Sequence, residues 1–235
     1  MRKYIYVIIA LLAIYVVGHG RSNGDNPSAI RDDRAEASAP EQSVARVGLQ
    51  VGHWKNSELP DELYEKLQYS LGGEVAGVTE WELCLEIAQQ TKALLEEDGY
   101  AVDLIPATVP EGYKADAFVA LHTDGNDDTS VRGFKSIGSA WDESGQSDIL
   151  SLAIDNALSV NTGMPSASYI SEEMNEYYAF NFTKYDHAVS STTPAVIVEL
   201  GFLTNAQDRR FLKTDGELVA KSLRQAINTF LNGSS

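Results

Sequence analysis

Three polar side chains suited to metal binding or acid–base chemistry lie at the ends of apolar segments in this 235-residue sequence. His53 follows "ARVGLQVG", His122 ends "AFVALH", and Glu199 lies within "PAVIVELGF". Small and β-branched residues dominate these segments, which predicts strands that are covered on both faces. A buried carboxylate is costly unless a cation lies nearby, so Glu199 either faces solvent at its strand end or belongs to a site. Three such residues at equivalent strand ends favour the site.

Two histidines and a carboxylate form a ligand set that catalytic zinc commonly takes, with a water in the fourth position. The candidate carboxylates are Glu74, Glu80 and Glu82, which lie before or at the start of a predicted helix. Glu82 also fits the N3 position of a capping box that begins at Thr79. Glu80 would fall at N1, where a carboxylate favours the helix macrodipole. The residues alone therefore leave the third ligand open, and helix capping is the alternative role for Glu80.

The elements that must position these side chains alternate along the chain. Predicted strands cover residues 45–52, 100–106, 117–123 and 194–202, and predicted helices cover 79–99, 147–161 and 217–231. This alternation predicts an α/β fold, with a single mostly parallel or mixed sheet and helices on both faces. Ligands bind such sheets at the carboxyl ends of the strands, which is where we expect His53, His122 and Glu199 to meet.

The N-terminal sequence predicts export. Residues 1–21 begin with two basic residues and continue with an apolar run from Tyr4 to Val17, which is typical of a signal peptide or an N-terminal membrane anchor. Residues 22–44 lack apolar periodicity and are rich in Ser, Asn, Asp, Ala and Pro, so we expect a disordered tether. Residues 45–235 would then form a catalytic domain in the cell envelope or the extracellular medium, either released or anchored to the cytoplasmic membrane.

Charge and cysteine content exclude several kinds of partner and chemistry. The formal net charge of −16 argues against nucleic-acid binding, which needs a basic surface, and against adsorption to anionic membranes. We therefore expect membrane contact only through the N-terminal segment. The single cysteine, Cys84, excludes an internal disulfide, and its place on the apolar face of a predicted helix indicates a core residue.

Four segments, taken in order, follow the sequence pattern of a known family. They are "VGH" after the first strand, "TEWELCLEIAQQTKALLEEDGYAVDL", "AFVALHTDGN" and "PAVIVELGFLTNAQD". The last is close to the family's pattern P-A-x-L-x-E-x-G-F-x-(S/T)-N. Over residues 45–232 the chain thus resembles the zinc-dependent N-acetylmuramoyl-L-alanine amidases of amidase type 3.

This resemblance implies a cofactor, a substrate and a role for each residue. His53, Glu80 and His122 would hold one Zn²⁺ per chain, and Glu199 would be the catalytic carboxylate that moves a proton from water to the leaving amine. The substrate would be peptidoglycan, cut at the amide between N-acetylmuramic acid and L-alanine during cell-wall remodelling or lysis. No wall-binding repeat is visible in the sequence, so targeting would depend on the N-terminal segment or on a regulatory protein partner.

The chain departs from the family pattern in ways that keep two alternatives open. The first motif usually reads D-P-G-H-G-G and here reads "LQVGHWKN", with Trp54 where a glycine is common. Pro106 replaces an arginine that often follows the next strand. One alternative is therefore a zinc peptidase or deacylase that uses the same ligands on another amide. The other is a non-catalytic domain that binds the wall or regulates a partner, although such a domain would typically lose Glu199 or a ligand.

Two more histidines and one loop also carry expectations. His19, in "VVGHGRSNGD", lies in a glycine-rich setting but adjoins the export segment, so we do not expect it to bind metal. His187 either contacts substrate or holds Asp186 or a backbone carbonyl, and we favour the structural interpretation. Residues 124–146, rich in Asp, Ser and Gly, follow His122 directly and are a candidate cover for the site. No residue is assigned to substrate binding.

Overall fold

The computed structural model describes residues 44–167 and 169–233, which contain one five-stranded sheet and a short hairpin. The strands are β1 Arg46–Val51, β2 Glu74–Val75, β3 Val78–Thr79, β4 Ala101–Ile105, β5 Ala117–Asp124, β6 Lys135–Gly138 and β7 Ala195–Phe202. The helices are α1 Asp61–Leu67, α2 Glu80–Glu97, α3 Ser147–Thr162, α4 Glu172–Asn175, α5 Ala206–Thr214 and α6 Gly216–Gly233. The hairpin pairs β2 with β3, directly before α2.

The order of the sheet, β4-β1-β5-β7-β6, makes neighbours of the strands that carry the predicted site residues. Strands β4, β1, β5 and β7 run parallel, and β6 joins β7 antiparallel. This confirms the predicted α/β fold with a mostly parallel sheet. In register, His122 on β5 lies beside Glu199 on β7, and Glu199 lies beside Lys135 on β6.

Two apolar cores, one on each face, hold the sheet in place. On one face, strand residues such as Leu49 pack with α2, α3 and α6, and Cys84 is buried there as predicted. On the other face, Phe118 and Ile197 pack against α1 and against the chain between residues 174 and 189. Because the strands are covered on both faces, their sequences are almost continuously apolar rather than alternating.

The start of α2 differs from the prediction. The Thr79 side chain makes no capping hydrogen bond, so the predicted capping box with Glu82 is wrong. Instead, the Glu80 amide donates to the Gly73 carbonyl (2.9 Å), and the Gly73 amide donates to Glu80 Oε2 (2.9 Å). This reciprocal pair replaces the cap, because it satisfies an orphan amide of the helix and fixes the Glu80 carboxylate at the same time.

The buried carboxylate of Asp208 ties α5 to the end of β7 and to the loop before β6. It accepts hydrogen bonds from the amides of Gly133 (2.6 Å) and Phe202 (3.1 Å), and Arg132 Nε lies 3.1 Å from it. We expect Asp208→Ala to lower the free energy of unfolding by about 2–4 kcal/mol, because buried donors lose their acceptor. Urea unfolding measures the change, with Arg210→Ala on the exposed side of α5 as control. A loss below about 0.5 kcal/mol, the range of ordinary surface substitutions, would contradict this role.

The predicted N-terminal segments lie outside the part of the chain that the structure describes. These are residues 1–21, with His19, and residues 22–44 apart from Val44. Their assignment as export segment and tether stays a prediction. Among residues 44–167 and 169–233, no helix combines the length and apolar composition needed to cross a bilayer.

Candidate active site

His53, Glu80 and His122 converge where β1 and β5 end and α2 begins. Their ligand-type atoms all lie within 4.8 Å of one another. Glu80 Oε1 is 3.3 Å from His53 Nε2 and 3.3 Å from His122 Nδ1. Glu74 and Glu82, the other two candidate carboxylates, are exposed and outside this cluster. Of the three carboxylates that the sequence left open, the fold thus places only Glu80 beside the two histidines.

The backbone holds His53 in a fixed orientation at the end of β1. Its φ is 63°, in the left-handed region that non-glycine residues seldom adopt. Its Nδ1 lies 2.7 Å from the Ser70 carbonyl oxygen, which can only accept, so Nδ1 carries a hydrogen and Nε2 faces Glu80. The preceding residue, Gly52, has to be a glycine because a Cβ there would overlap the His122 ring.

Glu80 is buried and held in its charged form. Oε2 accepts from the Gly73 amide (2.9 Å), and Oε1 accepts from the Thr123 amide (3.1 Å). Burial alone would raise the pKa of Glu80, but hydrogen bonds and charge from His122 and His53 outweigh it and place the pKa well below its ordinary value. Glu80 is thus a carboxylate at neutral pH, which is the form that a metal ligand requires.

The two histidines differ in their tendency to hold a proton. Burial lowers the pKa of His122, and the opposing effect of Glu80 does not compensate. Burial also lowers the pKa of His53, but the hydrogen bonds to Glu80 and the Ser70 carbonyl outweigh it, and the net pKa is raised. Of the two, His122 therefore loses its proton more readily, and the neutral imidazole is the form in which a histidine binds a cation.

The carboxyl group of Glu199 lies beside this cluster. Its Oε2 is buried and has no hydrogen-bond partner among the described residues. Burial raises the pKa of Glu199 well above its usual range, the charges of Glu80 and Asp124 raise it further, and Lys135 opposes them. A carboxyl group with a raised pKa and a free oxygen in a cleft is suited to general acid–base catalysis.

Lys135 is a site neighbour that the sequence analysis missed. It is almost fully buried on β6, and its Nζ lies 2.5 Å from Asp124 Oδ2, in a close ion pair that lacks hydrogen-bond alignment. A lysine in this position offsets part of the negative charge that Glu80 and Glu199 bring into the site. The available signal was weak, since it consists of one lysine in the short apolar segment "GFKSIG".

A cavity of about 370 Å³ opens onto the cluster and Glu199. Its walls include Lys66 of α1 and Met174 and Tyr177, which lie between α3 and β7. None of residues 124–146, the candidate cover, lines this cavity. Trp54 does not line it either, and packs against the apolar core. A second, more open depression of about 560 Å³ contains none of the predicted site residues, so we assign no function to it despite its larger size.

His187 lies outside the cluster and fits the structural interpretation. Its Nδ1 is 2.7 Å from Glu62 Oε1, and the Glu62 carboxylate also accepts the amides of Asp186 (3.0 Å) and His187 (2.8 Å). The partner is therefore a carboxylate of α1, and not Asp186 or a backbone carbonyl as the sequence suggested. The contact fastens α1, one wall of the cavity, to the loop before β7.

Comparisons with known proteins agree with this architecture. Residues 16–229 match the family model described as N-acetylmuramoyl-L-alanine amidase. The amidase Ami1 from Mycobacterium smegmatis is similar in structure, with a TM-score of 0.62, 20% identity, and coverage of 81% of this chain and 98% of that chain. The amidase AmiC2 of Nostoc punctiforme has a TM-score of 0.56 and 19% identity, and the match covers 80% of this chain and 97% of that chain. The CwlD amidase from Clostridioides difficile was solved in complex with the GerS lipoprotein. It has a TM-score of 0.55 and 16% identity, and the match covers 80% of this chain and 99% of that chain. No curated protein matches the sequence significantly.

Proposed function

Since the chain belongs to the N-acetylmuramoyl-L-alanine amidase family, we propose that it hydrolyses peptidoglycan at the amide between N-acetylmuramic acid and L-alanine, with one zinc ion per chain. The observation that carries this proposal is the convergence of His53, Glu80 and His122 within 4.8 Å beside the unpartnered oxygen of Glu199. The three clustered residues would hold the metal, and Glu199 would carry the proton.

The donor set fits zinc in type and in spacing. Two imidazole nitrogens and one carboxylate oxygen are common ligands of catalytic zinc. Ligand atoms about 2.0–2.1 Å from a tetrahedral ion lie about 3.3 Å from one another. Both nitrogens are 3.3 Å from Glu80 Oε1, which agrees with that spacing. When bound, zinc would supply Lewis-acid chemistry by acidifying water and polarising the amide carbonyl.

Glu199 is the residue of this chain that would move the proton. It would accept the proton of the attacking water while the new C–O bond forms, and would then pass it to the amide nitrogen as the C–N bond breaks. The products are a carboxylic acid on the lactyl group of the sugar and a stem peptide with a free amine. Lys135 supports the first transfer because its charge favours the ionised form of Glu199.

Localisation and partners belong to the same proposal. Peptidoglycan lies outside the cytoplasmic membrane, so the activity requires export. The basic residues and apolar run of residues 1–21 support export, and they would serve as a signal peptide or an anchor. We also propose that a regulatory protein binds the enzyme, since the similar CwlD amidase was solved in complex with the GerS lipoprotein.

Metal removal tests the proposed chemistry. We expect the chelator-treated protein to release no stem peptides from purified peptidoglycan, and added zinc to restore release, because a deprotonated water is otherwise scarce at neutral pH. Mass spectrometry identifies the products by their N-terminal L-alanine. Cleavage within the stem peptide would indicate a peptidase instead, and full activity after thorough chelation would contradict the zinc mechanism.

A further inference from the structure

A line of buried polar groups leads from the backbone at residue 107 to the ring of His122. Gln50 Nε2 lies 2.9 Å from the Ala107 carbonyl oxygen, and Gln50 Oε1 lies 2.7 Å from the Tyr177 hydroxyl. That hydroxyl lies 3.0 Å from His122 Nε2. Gln50 is fully buried on β1, although it is polar and lies in an apolar strand.

The hydrogen positions along this line follow from one group that cannot donate. The Ala107 carbonyl only accepts, so the amide nitrogen of Gln50 faces it and the amide oxygen faces Tyr177. The Gln50 oxygen also only accepts, so the Tyr177 hydroxyl gives it its single proton. The hydroxyl oxygen is then free to accept, and His122 must donate to it from Nε2.

Tyr178 fixes the orientation of Gln50 independently. Gln50 Nε2 lies 3.1 Å from the Tyr178 hydroxyl, which itself donates to the Ala107 carbonyl. A reversed Gln50 amide would place its oxygen against the Ala107 oxygen, so two acceptors would face each other without a proton. Both neighbours of the amide nitrogen therefore require the same orientation.

We propose that Tyr177 and Gln50 are positioning residues that hold a hydrogen on Nε2 of His122, so that Nδ1, which faces Glu80, is the nitrogen whose lone pair a metal would take. The competing tautomer would carry its hydrogen on Nδ1, 3.3 Å from Glu80 Oε1, and would donate to that carboxylate. It would thereby block the nitrogen that a metal needs. The inference rests on the proposed function only in naming zinc as the ion that this lone pair would bind.

The tautomer can be measured directly, without metal and without activity. In ¹⁵N-correlated NMR spectra of the metal-free protein, we expect His122 to show a protonated Nε2. In Tyr177→Phe, which keeps the ring and removes the hydroxyl, we expect a substantial population in which Nε2 carries no hydrogen. Zinc affinity, measured by competition with a chromophoric chelator, should fall about 10- to 100-fold in this variant.

Tyr178→Phe is the matched control, because it removes a neighbouring hydroxyl that contacts Gln50 and Ala107 but not His122. Its zinc affinity should stay within about threefold of the wild type, below the range for a lost partner of a ligand. A wild-type His122 with an unprotonated Nε2, or a Tyr177→Phe variant with unchanged tautomer and affinity, would overturn the inference. The wild-type spectrum decides even if the variant does not fold. Should the wild type bind no zinc, the proposed function would fail while the spectrum still decides the tautomer.

Discussion

Glu199→Gln is expected to reduce the rate of stem-peptide release by about 10²- to 10⁴-fold, the range typical of a lost general acid–base, while zinc stays bound. The amide of glutamine matches the carboxylate in size but cannot take a proton from water. The change fits the strand, since Val198 and Leu200 on either side are buried and keep their packing. Turnover of soluble muropeptides by chromatography and zinc content by mass spectrometry measure the two effects separately.

The stability of this variant separates a chemical role from a structural one. A carboxyl group with a buried oxygen that lacks a partner is unfavourable in the folded state, so we expect Glu199→Gln to unfold at the wild-type temperature or above it. Glu217→Gln, on the exposed surface of α6, removes the same charge elsewhere and should leave turnover unchanged. A decrease of less than tenfold in Glu199→Gln, or a loss of zinc, would refute the assignment of Glu199 as proton carrier.

The four parallel strands and two of the clustered residues could be predicted because buried strands have a distinctive local sequence pattern. Parallel strands covered on both faces are runs of small and β-branched residues, and the fold class follows from their alternation with helices. His53 and His122 interrupt or follow such runs, so their meeting at one edge of the sheet follows from the topology. Here local pattern and tertiary structure agree.

The third member of the cluster could not be selected from residue pattern alone. Thr79 and Glu82 match a capping box, but the β2–β3 hairpin supplies the Gly73 backbone to Glu80 and makes that cap unnecessary. Which carboxylate reaches the histidines depends on the β2–β3 hairpin, whose two-residue strands are too short to show a periodic sequence pattern. Only the resemblance to a family pointed to Glu80, which the fold places beside the two histidines.

Lys135 and Tyr177 lay beyond sequence reasoning for a different reason. A lysine is ordinarily exposed and a tyrosine is only partly buried on average, and nothing nearby in sequence indicates that Lys135 or Tyr177 faces the site. Both are placed by contacts between distant parts of the chain, such as Tyr177 with Gln50 on β1. Gln50 itself was visible only as a departure from the D-P-G-H-G-G motif, and its partners give that departure a physical meaning.

His53→Ala is expected to lower zinc affinity by more than about 100-fold, beyond the effect of losing a residue that only orients a ligand, and to abolish amidase activity. The variant removes one of two nitrogen donors, and the remaining pair of His122 and Glu80 would leave the ion with too few protein ligands for a catalytic zinc site. Chelator competition and zinc content after dialysis report the loss of metal independently of turnover.

Two other histidines show whether this effect is specific. His187→Ala removes the imidazole that pairs with Glu62, so it should lower stability and leave zinc affinity unchanged. His19→Ala should alter neither, because we expect no metal binding in the N-terminal segment. Zinc loss in His19→Ala with retention in His53→Ala would transfer the first ligand to the glycine-rich N-terminal motif, and the convergence of His53 with Glu80 and His122 would then need another cause.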